Sequence, residues 1–321
     1  FLFIIPKYNL FLLGIMVLLS LAGYAVCCTV RQENSPFQEE LTRIRLVASF
    51  YPIYVLTENL IAEVPGTAVE NMTQGQSGCL HDYQLTTKDM QLLSDADAFL
   101  INGAGMELFL EQAAEHCPEL LVIAATQGMD LLKGTGHSHA HEYLEEEQEQ
   151  EENGHVWMDV ERYRKQALIL CEGLKQMDSS RAEAYERAYH AYDKILEELS
   201  LEVQELAVKT EGMPVVLFHE AFAYFANSLG MEVLAELALD EEQVPSAGEI
   251  AEVIEEIRYH GTALLLIEEA YLSHAQKIAK ETNALIVCID PLLTGDVSPD
   301  SYVSGMKENL AAVEAALKTQ E

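Results

Sequence analysis

Short apolar runs alternate with longer segments of helical spacing along most of this chain. The runs are rich in Val, Ile and Leu and are bounded by polar or turn residues, which is typical of buried strands. They form two groups, which cover residues 44–50, 68–72, 98–101 and 120–124 in the first half and residues 215–218, 231–234, 263–267 and 284–289 in the second. Strands that are separated by helices form parallel sheets covered on both faces. The pattern therefore predicts an α/β fold with two lobes, each of them a parallel-sheet α/β sandwich.

A long stretch without Gly or Pro, residues 174–211, separates the two groups of strands. Its apolar residues recur every three or four positions, which is the spacing of one face of an amphipathic helix. At about 1.5 Å per residue, some 28 residues would extend for about 42 Å, the length of a whole lobe. We predict one long backbone helix at residues 177–208, which joins an N-terminal lobe at residues 44–176 to a C-terminal lobe at residues 209–321.

The N-terminal segment has the pattern of an export signal. A positive charge precedes the uncharged stretch at residues 10–26, and Cys27 and Cys28 follow it. A cysteine at this place is typical of a bacterial lipoprotein, in which the thiol is acylated. An uncleaved membrane anchor is the alternative, because about 17 apolar residues is near the lower limit for crossing a bilayer. We expect a signal or lipoprotein segment at residues 1–27, a tether at residues 28–43, and an extracytoplasmic protein that is lipid-anchored to the outer face of the cell membrane.

The charge balance narrows the range of ligands. The 321 residues include 53 Asp and Glu against 19 Lys and Arg, which gives a formal net charge of −34. Binding to nucleic acid by phosphate neutralisation needs a basic surface, so this composition excludes nucleic acid as a partner. The same charge attracts cations. Metal ions are therefore the ligand class that the composition favours.

One segment, residues 134–153, has neither strand nor helix periodicity and carries a run of Glu and Gln. It opens with alternating histidines, His137, His139 and His141. Dense like charge predicts a solvated, mobile loop, and a His-rich tract indicates metal binding. We expect a secondary, weaker metal-binding loop here, with a neutral spacer as the alternative.

Four side chains that can bind metals lie near the carboxyl ends of predicted strands, where α/β folds hold their ligands. His81 follows the second strand through a Gly-rich turn, His155 follows the acidic loop, and His219 and Asp290 come directly after strands of the second group. A lone histidine is more often a satisfied polar residue than a ligand, but two such positions in each lobe make coincidence a poorer explanation. Imidazole nitrogens with a carboxylate are the donors that Zn²⁺ prefers in a closed tetrahedral site.

Motifs of hydrolases and of nucleotide-binding proteins are missing or incomplete. His219 and Glu220 match the first two residues of the zinc-protease HExxH motif, but Ala223 occupies the position of its second histidine. The sequence has no GxSxG elbow and no phosphate-binding loop. Glu107 and Glu269 are candidate buried carboxylates, yet nothing pairs them for acid–base catalysis. We predict a binding protein and not an enzyme, with an extracytoplasmic zinc hydrolase as the alternative.

Six segments, taken in order, resemble one known family. They are residues 49–54 (SFYPIY), 81–89 (HDYQLTTKD), 96–107 (ADAFLINGAGME), 154–159 (GHVWMD), 218–225 (FHEAFAYF) and 289–292 (IDPL). Together they resemble the metal-binding, cluster A-I substrate-binding lipoproteins of bacterial ABC transporters. The resemblance extends from about residue 45 to about residue 317, and the six segments taken together are specific to the family.

This resemblance implies two α/β lobes with a metal ion between them, bound by His81, His155, His219 and Asp290. It also implies that the protein passes its ion to an ABC transporter permease in the membrane. We expect the protein to be a monomer. Family members that take Mn²⁺ carry Glu at the third ligand position, so His219 favours Zn²⁺ over Mn²⁺ as the transported ligand. A manganese-binding member of the family and a metal-dependent adhesin are the alternatives.

The chain departs from the family pattern beside the first of these ligands. Leu80 stands where the family has Pro, and Cys79 lies two residues before His81. The Cys79 thiol is a surrogate ligand, a disulfide partner or an inert group. Two other cysteines, Cys171 and Cys288, fall in a helical and a strand pattern, which predicts that both are small buried hydrophobes.

Overall fold

The computed structural model of the protein describes residues 43–74, 80, 83–134, 152–237, 245–261, 263–296 and 298–319. The predicted export segment and, except for Arg43, the predicted tether lie outside the described residues. His81, Cys79 and the loop histidines His137, His139 and His141 lie outside them as well. Among the described helices, none is both long enough and apolar enough to cross a membrane.

The first half of the described chain forms a parallel sheet of four strands. The strands are β1 (Ile44–Ala48), β2 (Thr67–Asn71), β3 (Ala98–Ile101) and β4 (Leu121–Ala124), in the spatial order β2-β1-β3-β4. The helices of this half are α1 (Tyr51–Ile61), α2 (Thr87–Ser94) and α3 (Leu110–His116). Leu46 in β1 is aligned with Val69 on one side and with Ala98 on the other, and all three are buried. β3 lies inside the sheet and is apolar and buried along its whole length, as expected for a parallel strand that is covered on both faces.

Two antiparallel helices and then a second parallel sheet follow. The helices are α4 (Val160–Met177) and α5 (Ala182–Thr210), and the second sheet contains β5 (Pro214–Leu217), β6 (Glu232–Glu236), β7 (Leu264–Ile267) and β8 (Leu285–Cys288). Its spatial order is β6-β5-β7-β8, with all pairs parallel. Helices α6 (Phe222–Ser228), α7 (Ala247–His260) and α8 (Leu272–Thr282) connect its strands, and α9 (Ser301–Lys318) ends the described chain. The predicted two parallel-sheet α/β units and the long helix between them are confirmed.

The main hydrophobic core extends through both halves. Val215 and Leu217 face this main core, whereas Val216 between them faces a smaller cluster on the other side of the second sheet. The main core also takes in α4, one face of α5 and much of α9, so the last helix returns to pack against the first half. The ring of Tyr302 in α9 stacks on Tyr163 of α4 with 3.7 Å between centroids. The two halves are therefore joined by packing as well as by the α5 helix.

The two cysteines for which burial was predicted have different environments. Cys171 is buried in α4, as predicted, and burial raises the pKa of its thiol to about 11. Cys288 is exposed, so the prediction for this residue was wrong. It is the last residue of β8, and β8 is an edge strand, which leaves the side chain without the second cover that an interior strand has.

Candidate metal centre

The order of the strands creates one reversal point in each sheet. In the second sheet β5 and β7 are neighbours, but the chain leads from β5 outward to β6 on one side and from β7 outward to β8 on the other. In the first sheet β1 and β3 are related in the same way. Clefts that hold ligands in open α/β sheets form at such points, beyond the carboxyl ends of the strands. His219 comes two residues after β5, and Glu268 directly follows β7. The second reversal point thus places an imidazole beside a carboxylate.

His219 and Glu268 are in direct contact. Nδ1 of His219 lies 2.7 Å from Oε1 of Glu268, and the two side chains are 14% and 31% exposed. An ionised carboxylate can only accept a hydrogen bond, so Nδ1 carries the proton in this pair. The lone pair of the neutral imidazole is then on Nε2, which is the state that a metal ion requires. Glu268 therefore fixes both the orientation and the tautomer of His219.

His155 is oriented by its own loop. The side chain is completely buried, and Oδ1 of Asn153 accepts hydrogen bonds from the His155 backbone N–H at 2.9 Å and from Nδ1 at 3.0 Å. The Asn153 amide is itself fixed, because its Nδ2 donates to the carbonyl of Glu220 at 2.9 Å. An amide oxygen accepts and does not donate, so Nδ1 of His155 is protonated and the lone pair is again on Nε2.

The two imidazoles meet although they come from different halves of the chain. Their ring centroids are 5.3 Å apart, with an angle of 75° between the ring planes. Oε1 of Glu220 lies 3.4 Å from Nδ1 of His155, which is the protonated nitrogen of the ring and not the one that carries the lone pair. Two histidines whose neutral forms carry the lone pair on Nε2 supply two nitrogen donors of the kind that a borderline divalent cation prefers.

Asp290 is held at the end of the eighth strand by a set of hydrogen bonds. Oδ1 accepts from the backbone N–H of Leu292 at 2.8 Å, and Asn309 both accepts from the Asp290 N–H at 2.9 Å and donates to its carbonyl at 2.8 Å. Partial burial raises the pKa of Asp290 above its ordinary range; the Leu292 hydrogen bond opposes this, and the charges of Glu268 and Glu308 add to it. Asp290 thus lies within electrostatic range of Glu268, which contacts His219.

The buried carboxylate of Glu107 stabilises the backbone segment that contacts the His155 loop. Glu107 is 6% exposed, and its carboxylate accepts hydrogen bonds from the Ser49 hydroxyl at 2.8 Å and from the N–H groups of Asn102 and Gly103 at 2.8 and 2.9 Å. The Asn102 side chain in turn donates to the carbonyl of Gly154 at 2.9 Å. A Cβ at position 154 would lie 3.0 Å from the carbonyl oxygen of Ala104, a tight contact that a residue larger than Gly could make only with a small shift of the neighbouring backbone.

The sequence prediction of buried carboxylates was half right. Glu107 is buried as predicted, whereas Glu269 is exposed and its neighbour Glu268 contacts the site. Sequence reasoning did not identify Glu268 or Asn153. The only available signal for Glu268 was its place directly after a predicted strand that is adjacent to the strand before His219.

The structure brings two of the four predicted ligands together, His155 and His219. Partial burial and the charge of Glu268, which contacts His219, raise the pKa of Asp290. His81 lies outside the described residues. Within the described part of the chain, no three His, Cys, Asp or Glu side chains converge closely enough to hold a metal ion. The complete four-ligand set therefore stays a prediction.

Solved structures with the same architecture cover most of the described chain. The crystal structure of ZnuA superposes with a TM-score of 0.68 at 22% sequence identity, over 85% of this chain and 99% of that one. The substrate-binding protein FpvC from Pseudomonas aeruginosa, in complex with Mn²⁺, gives a TM-score of 0.74 at 21% identity, over 87% of this chain and 100% of that one. At these identities the likeness establishes the fold.

Similar sequences come from several bacteria. The high-affinity zinc uptake system protein ZnuA of Bacillus subtilis is 27% identical over 283 residues, which are 86% of this chain and 88% of the relative. The zinc-binding lipoprotein AdcA of Streptococcus pneumoniae is 27% identical over 84% of this chain, which spans only 55% of the length of AdcA. The manganese-binding lipoprotein MntA of Halalkalibacterium halodurans is 23% identical over 87% of this chain and 90% of its own.

The family described as ZnuA, zinc-uptake complex component A, periplasmic, matches residues 46–316. This range includes the α5 helix, all four predicted ligand positions and both sheets except for the first two residues of β1. The chain belongs to this ZnuA family.

Proposed function

We propose that this protein is the solute-binding component of an ABC transporter for zinc, which captures Zn²⁺ outside the cytoplasm and delivers it to the membrane permease. The observation that carries the proposal is the contact between His155 and His219, whose rings lie 5.3 Å apart at the meeting of the two halves. The ZnuA and AdcA relatives, which are named for zinc uptake and zinc binding, support the same ion.

The proposed ligands are His81, His155, His219 and Asp290. Three imidazoles and one carboxylate match the donor preference and the fourfold coordination of Zn²⁺, with Zn–N distances of about 2.0–2.1 Å. The site replaces the water ligands of the ion with protein donors. A set of four protein ligands leaves no position for an activated water, which supports binding without catalysis and disfavours the hydrolase alternative.

The histidines of the acidic loop, His137, His139 and His141, have a separate role in this proposal. They lie in a segment whose charge attracts cations, and they can supply several imidazole donors at once. A loop must lose conformational freedom when it closes on an ion, at about 1–2 kcal/mol per ordered residue. We therefore assign the loop a weaker affinity than the main site and a role in concentrating the ion near it.

Manganese is the second candidate ion. Glu220, the residue next to His219, supplies a carboxylate that can compete as an oxygen ligand, and oxygen donors suit Mn²⁺ better than they suit Zn²⁺. A manganese-binding lipoprotein is also among the relatives. Because His219 supplies nitrogen at the position where manganese-binding members have Glu, we favour zinc.

The lipid anchor and the monomeric state of the protein are part of the same proposal. The protein is a monomer anchored to the outer face of the cell membrane by a lipid on Cys27 or Cys28. Mass spectrometry of the membrane-extracted protein would detect the acyl chains, and a purified protein without added lipid mass would contradict the anchor.

The test of the transported ion is a metal analysis of protein purified without added metal, followed by calorimetric titration with Zn²⁺ and Mn²⁺. We expect one tight zinc site per chain and displacement of bound Mn²⁺ by Zn²⁺. Hydrolysis of ester or peptide substrates by the zinc-loaded protein would instead favour the hydrolase, and tighter binding of Mn²⁺ than of Zn²⁺ would favour the manganese alternative.

A further inference from the structure

A hydrogen bond links the segment that carries His155 to the turn that carries Asp290. The indole Nε1 of Trp157 donates to the carbonyl oxygen of Pro291 at 2.8 Å, across 134 positions of sequence. Trp157 lies two residues after His155, and Pro291 is the residue directly after Asp290. The bond therefore joins the immediate neighbourhoods of two proposed ligands from different halves of the chain.

The indole itself is held firmly in place. Trp157 is completely buried, and its ring meets the ring of Phe50 edge to face with 5.0 Å between centroids. Its backbone carbonyl accepts a hydrogen bond from the Tyr302 hydroxyl at 2.7 Å. A side chain that is completely buried, and whose backbone carbonyl is also hydrogen-bonded, has little freedom to change rotamer. The donor N–H thus has a fixed position in the first half of the chain.

The acceptor is fixed as well. Pro291 restricts its own backbone, and Leu292 adopts a left-handed conformation with φ of 57°. The N–H of Leu292 donates to Oδ1 of Asp290, which closes a tight turn around the carboxylate. Because both ends are rigid, the length of the Trp157–Pro291 hydrogen bond governs how far the Asp290 turn lies from the His155 segment.

We propose that Trp157 is a positioning residue of the metal site, which holds the Asp290 turn at the distance from His155 that tetrahedral coordination requires. This inference rests on the proposed function, because it assumes that His155 and Asp290 bind one ion. It adds a residue that is not itself a ligand and that sets the geometry, and hence the affinity, of the site through one hydrogen bond between the two halves.

The test compares Trp157→Phe with Tyr163→Phe. The first variant removes the indole N–H and keeps an aromatic ring, and the second removes an equally buried hydroxyl, which donates to the carbonyl of Pro52 at 3.0 Å within the first half. Both should lower the melting temperature of the metal-free protein. We expect Trp157→Phe alone to weaken zinc binding, by up to about tenfold, as loss of one positioning hydrogen bond allows.

A spectroscopic measurement separates positioning from general stability. Co²⁺ substituted for Zn²⁺ reports the coordination geometry through its visible absorption, which we expect to change in Trp157→Phe and to match the wild type in Tyr163→Phe. Wild-type zinc affinity and an unaltered cobalt spectrum in Trp157→Phe would overturn the inference and leave the zinc function intact. Failure of the wild-type protein to bind one zinc ion would instead overturn the proposed function.

If Trp157→Phe does not fold, the wild-type protein offers a second test of the inference. Trp157 is the only tryptophan of the chain, so its fluorescence reports this indole alone. Zinc should change the emission in proportion to occupancy and saturate at one equivalent, because the proposed ligand His155 lies 5.1 Å from the indole, measured between ring centroids. Emission that stays constant while calorimetry records saturation would overturn the inference.

Discussion

Oε1 of Glu268 lies 2.7 Å from Nδ1 of His219, across the point where the strand order of the second sheet reverses. The contact makes Glu268 the orienting partner of a proposed ligand, and partners of this kind typically contribute 10–100-fold to metal affinity. We therefore expect Glu268→Ala to weaken zinc binding by about that factor, because the imidazole loses its fixed orientation and tautomer. Calorimetric titration of the variant measures the effect.

Glu269→Ala is the matched control for this prediction. Glu269 is the next residue along the chain and is exposed, so its removal takes away the same charge without touching His219. Zinc affinity should stay within about twofold of the wild type. Equal losses in both variants would mean that the general negative charge of this surface, and not the contact with His219, is what holds the ion.

His219→Ala tests whether this imidazole is a ligand. A ligand present at 1,000 times its dissociation constant stabilises the native state by about 4 kcal/mol. The wild-type protein should therefore melt well above its chelated form, and His219→Ala should lose most of that difference. His190→Ala, which removes an exposed histidine of α5, should keep it. If zinc raised the melting temperatures of both variants equally, His219 would not be a ligand.

Replacement of the acidic loop separates the two proposed classes of site. A short Gly/Ser linker in place of residues 135–151 removes His137, His139 and His141 together with most of the neighbouring glutamates. We expect calorimetry to show one tight zinc site as before and to lose the weaker ones, because the main ligands lie elsewhere. Loss of the tight site would contradict this division, and an unchanged stoichiometry would mean that the loop does not bind zinc.

The fold was predictable from the sequence because its signals are local. Apolar runs such as Val215 to Leu217 and the repeated tyrosines of α5 indicate buried strands and an amphipathic helix without knowledge of the tertiary structure. Cys288 shows the limit of this reasoning. An apolar neighbourhood identified the strand correctly, but exposure depends on whether the strand lies at the edge of its sheet, which is a property of the strand order.

The site was less predictable, because its contacts join distant parts of the chain. Glu268 comes directly after a predicted strand, but its contact with His219 follows from the position of β7 beside β5, which the sequence does not reveal. The Trp157–Pro291 bond is also invisible in the sequence, since it needs α9 and the turn before it to return to the first half. Sequence reasoning identified His155 and His219 as candidates but did not identify the residues that orient them.

The buried carboxylate of Glu107 predicts a pH dependence of stability. Burial raises the pKa of Glu107 above its ordinary value, and the hydrogen bonds from Ser49, Asn102 and Gly103 oppose the shift without cancelling it. The folded state therefore binds a proton at Glu107 more tightly than the unfolded chain does. The stability that this provides is fully present below the unfolded pKa of about 4.3 and is lost as pH rises through the folded value.

Glu107→Gln isolates this effect, because the amide cannot ionise. The variant also presents an NH₂ group to a position where the carboxylate accepts from two backbone N–H groups, so it should be less stable than the wild type at low pH. The difference in unfolding free energy between wild type and variant should then shrink as pH rises from about 4.3, since only the wild type bears the cost of a buried charge. Urea unfolding of the metal-free proteins over a pH series measures it, with Glu111→Gln on the exposed side of α3 as the control for losing a carboxylate. A difference that stays constant or grows with pH would show that the three hydrogen bonds outweigh desolvation and that Glu107 is ionised in the fold without penalty.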